Sequence, residues 1–316
     1  MKIKVLDKGS LGDDLSVEAL SKFGEVLVYQ TSTPEELTER IRDAEVAVVN
    51  KLKFTRQILS HAERLKLICI FATGYDNIDI SACKERGIAV CNVPGYSTES
   101  VCLFTVATVL NLLTHLTSYM AYVNSGEYTE SGVANRLTPP YSELKGKTWG
   151  IVGYGNIGKA VGRVASAFGC KIIYNRRTPS SDEGAVDIDT LCSESDIITL
   201  HCPLNDGTRN LIDKDKLSLM KKSCILVNEA RGAVVDSEAV AEAVLHGELA
   251  GFGSDVYDQE PFDKCHPYNK LLGLDNVILT PHAAWGAYEA RERCLNIICD
   301  NIASFESGKT LNRVDI

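Results

Sequence analysis

The stretch GYGNIG, Gly153 to Gly158, stands between an apolar run, TWGIV, and a run with helical spacing, NIGKAVGRVASAFG. Three glycines at that spacing constrain the chain strongly, because a strand, a tight turn and a helix must follow one another within a few residues. Gly153 permits the turn, Gly155 lets a backbone approach a pyrophosphate, and Gly158 allows the helix to pack close to the strand. Free N–H groups at the helix start would then face the anion. The alternative is an ordinary strand-to-helix turn.

The next strand, KIIYN, ends where an adenosine ribose would sit, and an acid there commonly accepts hydrogen bonds from the ribose 2′-OH. Here the residues are Asn175, Arg176 and Arg177, in YNRRTP. Two guanidinium forks match a phosphate, no carboxylate stands beside them in the sequence, and NADP(H) is the expected cofactor. The other reading is that an arginine stacks on adenine or faces solvent and NAD binds.

The glycine turn belongs to an alternating pattern. TWGIVG, KIIYN, DIITLH, CILVNE, GFGSDVY and NVILTP read as strands separated by helices. An earlier block alternates in the same way through IKVLD, EVLVYQ, EVAVVN, LKLICIFA and IAVCNV. Short apolar strands joined by amphipathic helices imply parallel crossovers, so the fold class is α/β with two doubly wound parallel sheets. A long helix is expected from near Ser100 to about Asn124, followed by a polar arm with Pro139 and Pro140. The final helix carries an apolar stripe through Cys294, Ile297, Ile298, Ile302 and Phe305, and periodicity does not say which sheet receives it.

Composition narrows the partners. A net charge of -9, with both signs interleaved, argues against a nucleic-acid or anionic-membrane surface. The eleven cysteines contain no C-x-x-C pair and fall mostly in apolar runs, which suits a reducing cytoplasm and gives no metal-site pattern. The start, MKIKVLD, reads as a strand rather than an export signal. The apolar run VCLFTVATVLNLL is too short to span a bilayer.

Ligands of open α/β sheets bind beyond the carboxyl ends of the strands. Arg231 follows CILVNEA, Glu260 follows GSDVY, and His282 follows VILTP. Arg231 can hold a carboxylate bidentately, His282 can give a proton to a carbonyl oxygen as hydride arrives, and Glu260 can orient the imidazole. Singly, each has a duller reading: a braced turn, a solvated acid, a strand-end cap.

Taken together, GYGNIG, HCPLNDGTRNLI, ILVNEARGAVVD, GSDVYDQEP and NVILTPHAAW, with FATGYDNIDI and CNVPGYSTESV earlier, resemble the D-isomer-specific 2-hydroxyacid dehydrogenase family along almost the whole chain. The resemblance implies a flavodoxin-like substrate domain of residues 1–98 plus 287–316, a Rossmann cofactor domain of residues 99–286, a site in the cleft between them and a homodimer. It implies catalytic roles for Arg231, Glu260 and His282, and substrate-carboxylate binding by Arg231, His282 and the N–H groups of Thr73 and Gly74. It assigns cofactor contacts to Gly153, Gly155, Asn156, Ile157, Gly158, Asn175, Arg176, Arg177, Thr178, Glu229 and Ala230. Asp255 would bond the nicotinamide carboxamide, and Cys202 and Pro203 would line its ring. Leu52, Lys53, Tyr75 and Trp285 would select substrate size. One departure is Leu103, in CLFT, where the family commonly has an acid or glutamine. NVPGYST and PHAAWGAYEARER are most similar to the glycerate dehydrogenase and hydroxypyruvate or glyoxylate reductase branch. Relatives of this fold that act as dinucleotide-sensing corepressors supply the alternative.

Overall fold

The computed structural model describes residues 1–178 and 182–316, so Pro179 of YNRRTP lies outside the described residues. The chain forms two compact units, Met1–Ser97 with Trp285–Ile316, and Thr98–Ala284.

The first unit is built on five strands, β1 (Lys2–Val5), β2 (Glu25–Val28), β3 (Val46–Val49), β4 (Leu67–Ile70) and β5 (Ala89–Cys91). They pair in parallel in the order β2-β1-β3-β4-β5, the flavodoxin-like arrangement. VAVV and LICI are buried at every position, as central strands covered on both faces must be. The helix Pro34–Ile41 begins with a reciprocal cap in which Thr33 accepts from the Glu36 N–H while Glu36 accepts from the Thr33 N–H. The stretch SVEALSKFG forms a short 3₁₀ helix, Glu18–Phe23. The terminal helix, Tyr288–Glu306, buries Cys294, Ile298 and Ile302 among Ile3, Val5 and Cys69, which settles where its apolar stripe goes.

The second unit holds six strands, β6 (Thr148–Val152), β7 (Lys171–Asn175), β8 (Ile197–Leu200), β9 (Ile225–Asn228), β10 (Gly251–Ser254) and β11 (Val277–Leu279). Their order is β11-β10-β9-β8-β6-β7, all parallel. Outside β7 the chain adds a stub: Ala185 bridges Tyr174 in parallel, with Tyr174 N–H donating to Gly184 and Val186 N–H donating to Tyr174. Counting that stub as a third strand gives the Rossmann order, with the reversal of winding between β6 and β8. The Trp149 indole N–H, fully buried on β6, donates to Thr199 Oγ1 on β8 at 3.1 Å, which satisfies that buried donor.

The expected single helix from Ser100 to Asn124 is two helices, Thr98–Thr114 and Leu116–Asn124, set at 65°. His115 takes a left-handed conformation at φ 51°, and the Asn111 side-chain oxygen accepts from both the N–H and the hydroxyl of Thr117, capping a fresh helix start. The first helix is buried along Val101, Thr105, Val109 and Leu112, whereas the second buries no residue. No single described helix is long and apolar enough to cross a membrane.

Candidate cofactor and active site

The ladder bonds of the second sheet continue one residue past its strands. Gly153 N–H donates to Asn175, His201 to Val152, Glu229 to Leu200, Asp255 to Asn228 and Thr280 to Ser254, at 2.7–3.3 Å. Gly153, His201, Glu229, Asp255 and Thr280 therefore stand abreast along the carboxyl edge of the sheet, where open α/β sheets bind ligands.

At the reversal point the glycines do different work. Gly153 has φ +93°, and a Cβ on it would come within 2.6 Å of the Cys202 nitrogen. A Cβ on Gly158 would lie 2.3 Å from the Gly153 carbonyl, so the helix and strand can approach only without it. A Cβ on Gly155 would meet no atom within 4 Å, so that glycine leaves room against the start of the helix Asn156–Ala167, which no side chain caps. Its first N–H groups, those of Asn156, Ile157 and Gly158, have no acceptor within the helix and are arranged for an anion such as pyrophosphate. Tyr154, between the first two glycines, stacks on Tyr174 at 3.8 Å.

At the end of β7, Asn175 donates from its side chain to Val186 and is fixed there. Arg176, Arg177 and Thr178 are exposed. The sequence expectation of an edge with no carboxylate needs correction: Asp182 folds back and accepts from Arg176 Nη2 at 3.1 Å. The two stand six positions apart, so adjacency in sequence could not reveal the pair.

Asp255 is buried, and its carboxylate accepts from Thr280 Oγ1 at 2.6 Å, Ala283 N at 2.8 Å and Ala284 N at 2.8 Å. These bonds fix the loop after β11, where His282 adopts a left-handed φ of 54°. Its Nδ1 lies 2.6 Å from Glu260 Oε2, while Glu260 Oε1 accepts from the Tyr257 N–H. A ring paired to a carboxylate through Nδ1 presents Nε2 for proton exchange. Arg231 lies on the turn after β9, its carbonyl accepting from Asn228 and its guanidinium donating to Ala230. Gly232 follows, and a Cβ there would sit 1.8 Å from the Tyr257 carbonyl carbon, so the Arg231 turn rests on the backbone that holds Glu260. The structure thus brings the three residues onto one support. Beneath it, Tyr257 packs against Phe262 and Tyr268, and His266 Nε2 lies 2.7 Å from Asp258. Despite the desolvation of its site, the His266 contact holds the Asp258 carboxyl below its usual range.

Cys202 is buried beside the glycine turn, and burial pushes its thiol up to about 11. The neighbouring Pro203 carbonyl accepts from Thr208 Oγ1 at 2.6 Å. Thr73 and Gly74 lie in the first unit, on the loop after β4. The Thr73 hydroxyl donates to Val93, and its carbonyl accepts from Asn92. Asn77 on the same loop donates to the Leu52 carbonyl, and Trp285 meets Tyr96 edge to face at 6.3 Å.

Two members of the edge rank were not singled out by sequence reasoning. His201 has both ring nitrogens buried with no hydrogen-bond partner among the described residues, and burial pushes it down to about 3. Thr280 is the hydroxyl donor to Asp255. The signal for both was positional, the first residue after each strand. Glu229, assigned only through resemblance, is 8% exposed, and its Oε2 also has no partner among the described residues.

A sequence model of the D-isomer specific 2-hydroxyacid dehydrogenase NAD binding domain matches residues 106–284. The chain belongs to that family. It is 34% identical to a hydroxypyruvate reductase of Blautia hydrogenotrophica over 100% of both chains, and 36% identical to a glycerate dehydrogenase of Methylorubrum extorquens over 99% of each. Among solved structures it is similar to an NADPH-dependent glyoxylate/hydroxypyruvate reductase of Sinorhizobium meliloti in complex with NADP and malonate. The TM-score is 0.84 at 28% identity, covering 99% of this chain and 96% of that one. The protein is an oxidoreductase of this family with an NAD(P)-binding second unit.

The carboxyl edge carries a pH signature. Burial, then the Asp255 charge, push the Glu229 carboxyl from 4.5 up to about 9. Between those values the unfolded chain has released the proton that the folded chain keeps. Stability contributed by this group therefore falls as pH rises through that window and levels off above it, by up to about 1.4 kcal/mol per pH unit. Thermal melts of the parent and Glu229→Gln from pH 5 to 9 should diverge steadily in favour of the variant. A gap that does not change with pH would contradict the buried-proton assignment.

Proposed function

We propose that the protein reduces a small 2-oxo acid, hydroxypyruvate or glyoxylate, with NADPH as preferred donor, the second unit binding the cofactor and the first the substrate. The observation that carries the reading is the 2.6 Å His282–Glu260 pair on a loop fixed by Asp255, at the edge of a dinucleotide-binding sheet. The bound nicotinamide supplies hydride to the carbonyl carbon. His282 gives the proton from Nε2 to the carbonyl oxygen, and Glu260 holds the ring and balances the imidazolium from which that proton leaves. Arg231, with the N–H groups of Thr73 and Gly74, takes the substrate carboxylate. Leu52, Lys53, Tyr75 and Trp285 are assigned to size selection. Gly153, Gly155, Asn156, Ile157 and Gly158 take the pyrophosphate, and Cys202, Pro203, Ala230 and Asp255 the nicotinamide end. The names of the similar reductases support the substrate class.

Arg176 and Arg177, with Asn175 and Thr178, are assigned to the 2′-phosphate. Asp182 competes for Arg176, so the preference reflects exchange of one acceptor for another, each charge-assisted bond being worth on the order of 1.5–3 kcal/mol before solvent screening. The apolar side chains Leu116, Met120, Val123, Leu137 and Tyr141, all more than half exposed, are assigned to a contact with a second copy.

Turnover is tested with NADPH and a panel of carbonyl compounds. Hydroxypyruvate and glyoxylate should be reduced far faster than simple ketones, and His282→Ala should lower kcat by roughly a hundredfold or more while NADPH binding survives. Cofactor binding without turnover of any 2-oxo acid would favour a dinucleotide sensor. The ratio of kcat/KM for NADPH over NADH should exceed one, fall sharply in Arg176→Asp/Arg177→Ala and rise in Asp182→Asn. A parent that favours NADH would return the arginines to adenine stacking or solvent. Sedimentation at micromolar concentration should give a dimer mass that Met120→Asp with Leu137→Asp reduces to a monomer, and a monomeric parent would remove the interface assignment.

A further inference from the structure

We propose that the Glu229 side chain orients the nicotinamide of the bound dinucleotide by donating a hydrogen bond from its carboxyl O–H to the carboxamide oxygen. This rests on the cofactor reading above and adds a named donor to it. Glu229 stands in the middle of the edge rank, its backbone N–H still bonded to Leu200 and the next strand's Asp255 bonded back to Asn228. It is therefore held in register between His201 and Asp255. The acid is more than nine-tenths buried, and Oε2 has no hydrogen-bond partner among the described residues.

Two neighbouring carboxyl groups in a buried site share their ionisation unequally. Asp255 accepts from three protein donors, so its carboxyl oxygens are already satisfied within the protein. Glu229 accepts from none of the described residues, and burial together with the Asp255 charge push it up to about 9. At neutral pH it therefore carries a proton it can donate, and a buried donor left unbonded is unfavourable. A ligand with an acceptor removes the cost. The adjacent His201 ring, kept neutral by burial, also has unbonded nitrogens and can accept from a carboxamide N–H. One acceptor and two donors are what a carboxamide presents, and these two side chains offer the complement.

The test is equilibrium binding, followed by fluorescence or calorimetry, of NADPH and NADH against 2′-phospho-ADP-ribose and ADP-ribose, which lack the nicotinamide. Glu229→Leu should weaken the complete dinucleotides at least tenfold and leave the truncated ligands within twofold of the parent. Glu229→Gln, which keeps an N–H donor, should stay within about threefold of the parent for all four. Glu229→Met is the parallel variant should leucine not fold. Equal weakening of complete and truncated ligands, unchanged NADPH and NADH affinity in the apolar variants, or a glutamine variant as weak as the leucine one would each overturn the proposal. A parent that binds none of the four ligands would instead overturn the cofactor reading.

Discussion

One carboxylate organises the candidate site. Asp255 takes a hydroxyl from Thr280 and two backbone N–H groups from Ala283 and Ala284, and so decides the path of the loop that bears His282. A buried carboxylate is tolerated because each bond replaces hydration it has lost. The left-handed backbone at His282 is sustained by the same contacts, since strain at a non-glycine residue persists only where the surroundings over-determine it. Remove the clamp and neither the 2.6 Å contact with Glu260 nor the direction of the imidazole is fixed.

The same charge reaches sideways. It is the second cause, after burial, that keeps a proton on Glu229, and it contributes to raising the Tyr257 hydroxyl, for which desolvation is the leading cause. Tyr257 in turn donates to the Thr280 carbonyl at 2.8 Å and gives its N–H to Glu260. The edge of the second sheet is thus an interlocked polar layer above an apolar core, and its members cannot be altered independently.

Much of this was legible in the sequence because it depends on short-range pattern. Strand, glycine turn and helix sit within about twenty residues, and continuous apolar runs such as LICI and ILVN can only be central parallel strands. Arg231, Glu260 and His282 could be singled out because each falls just beyond a strand. What stayed hidden depends on chain reversal. The Asp182 contact to Arg176 and the break at His115 set by Asn111 reaching Thr117 join residues whose proximity no periodicity encodes, and the seat of the terminal helix was given by the resemblance and not by its own periodicity. The buried state of Glu229 was hidden for a related reason: NEARG reads as a solvated turn until register places the acid between two covered strand ends.

The stub at Gly184–Val186 has a consequence for how the protein behaves among its own copies. β7 would otherwise leave a row of unpaired backbone groups along the outer margin of the sheet, an invitation to intermolecular strand addition. A single bridge to Tyr174 occupies the carboxyl-terminal part of that margin, and the chain then turns away into the helix Ile188–Glu194. At the opposite margin β11 is only three residues long. Both borders are too brief or too obstructed to template a foreign strand, so a sheet of six parallel strands can be carried with little risk of fibrous aggregation.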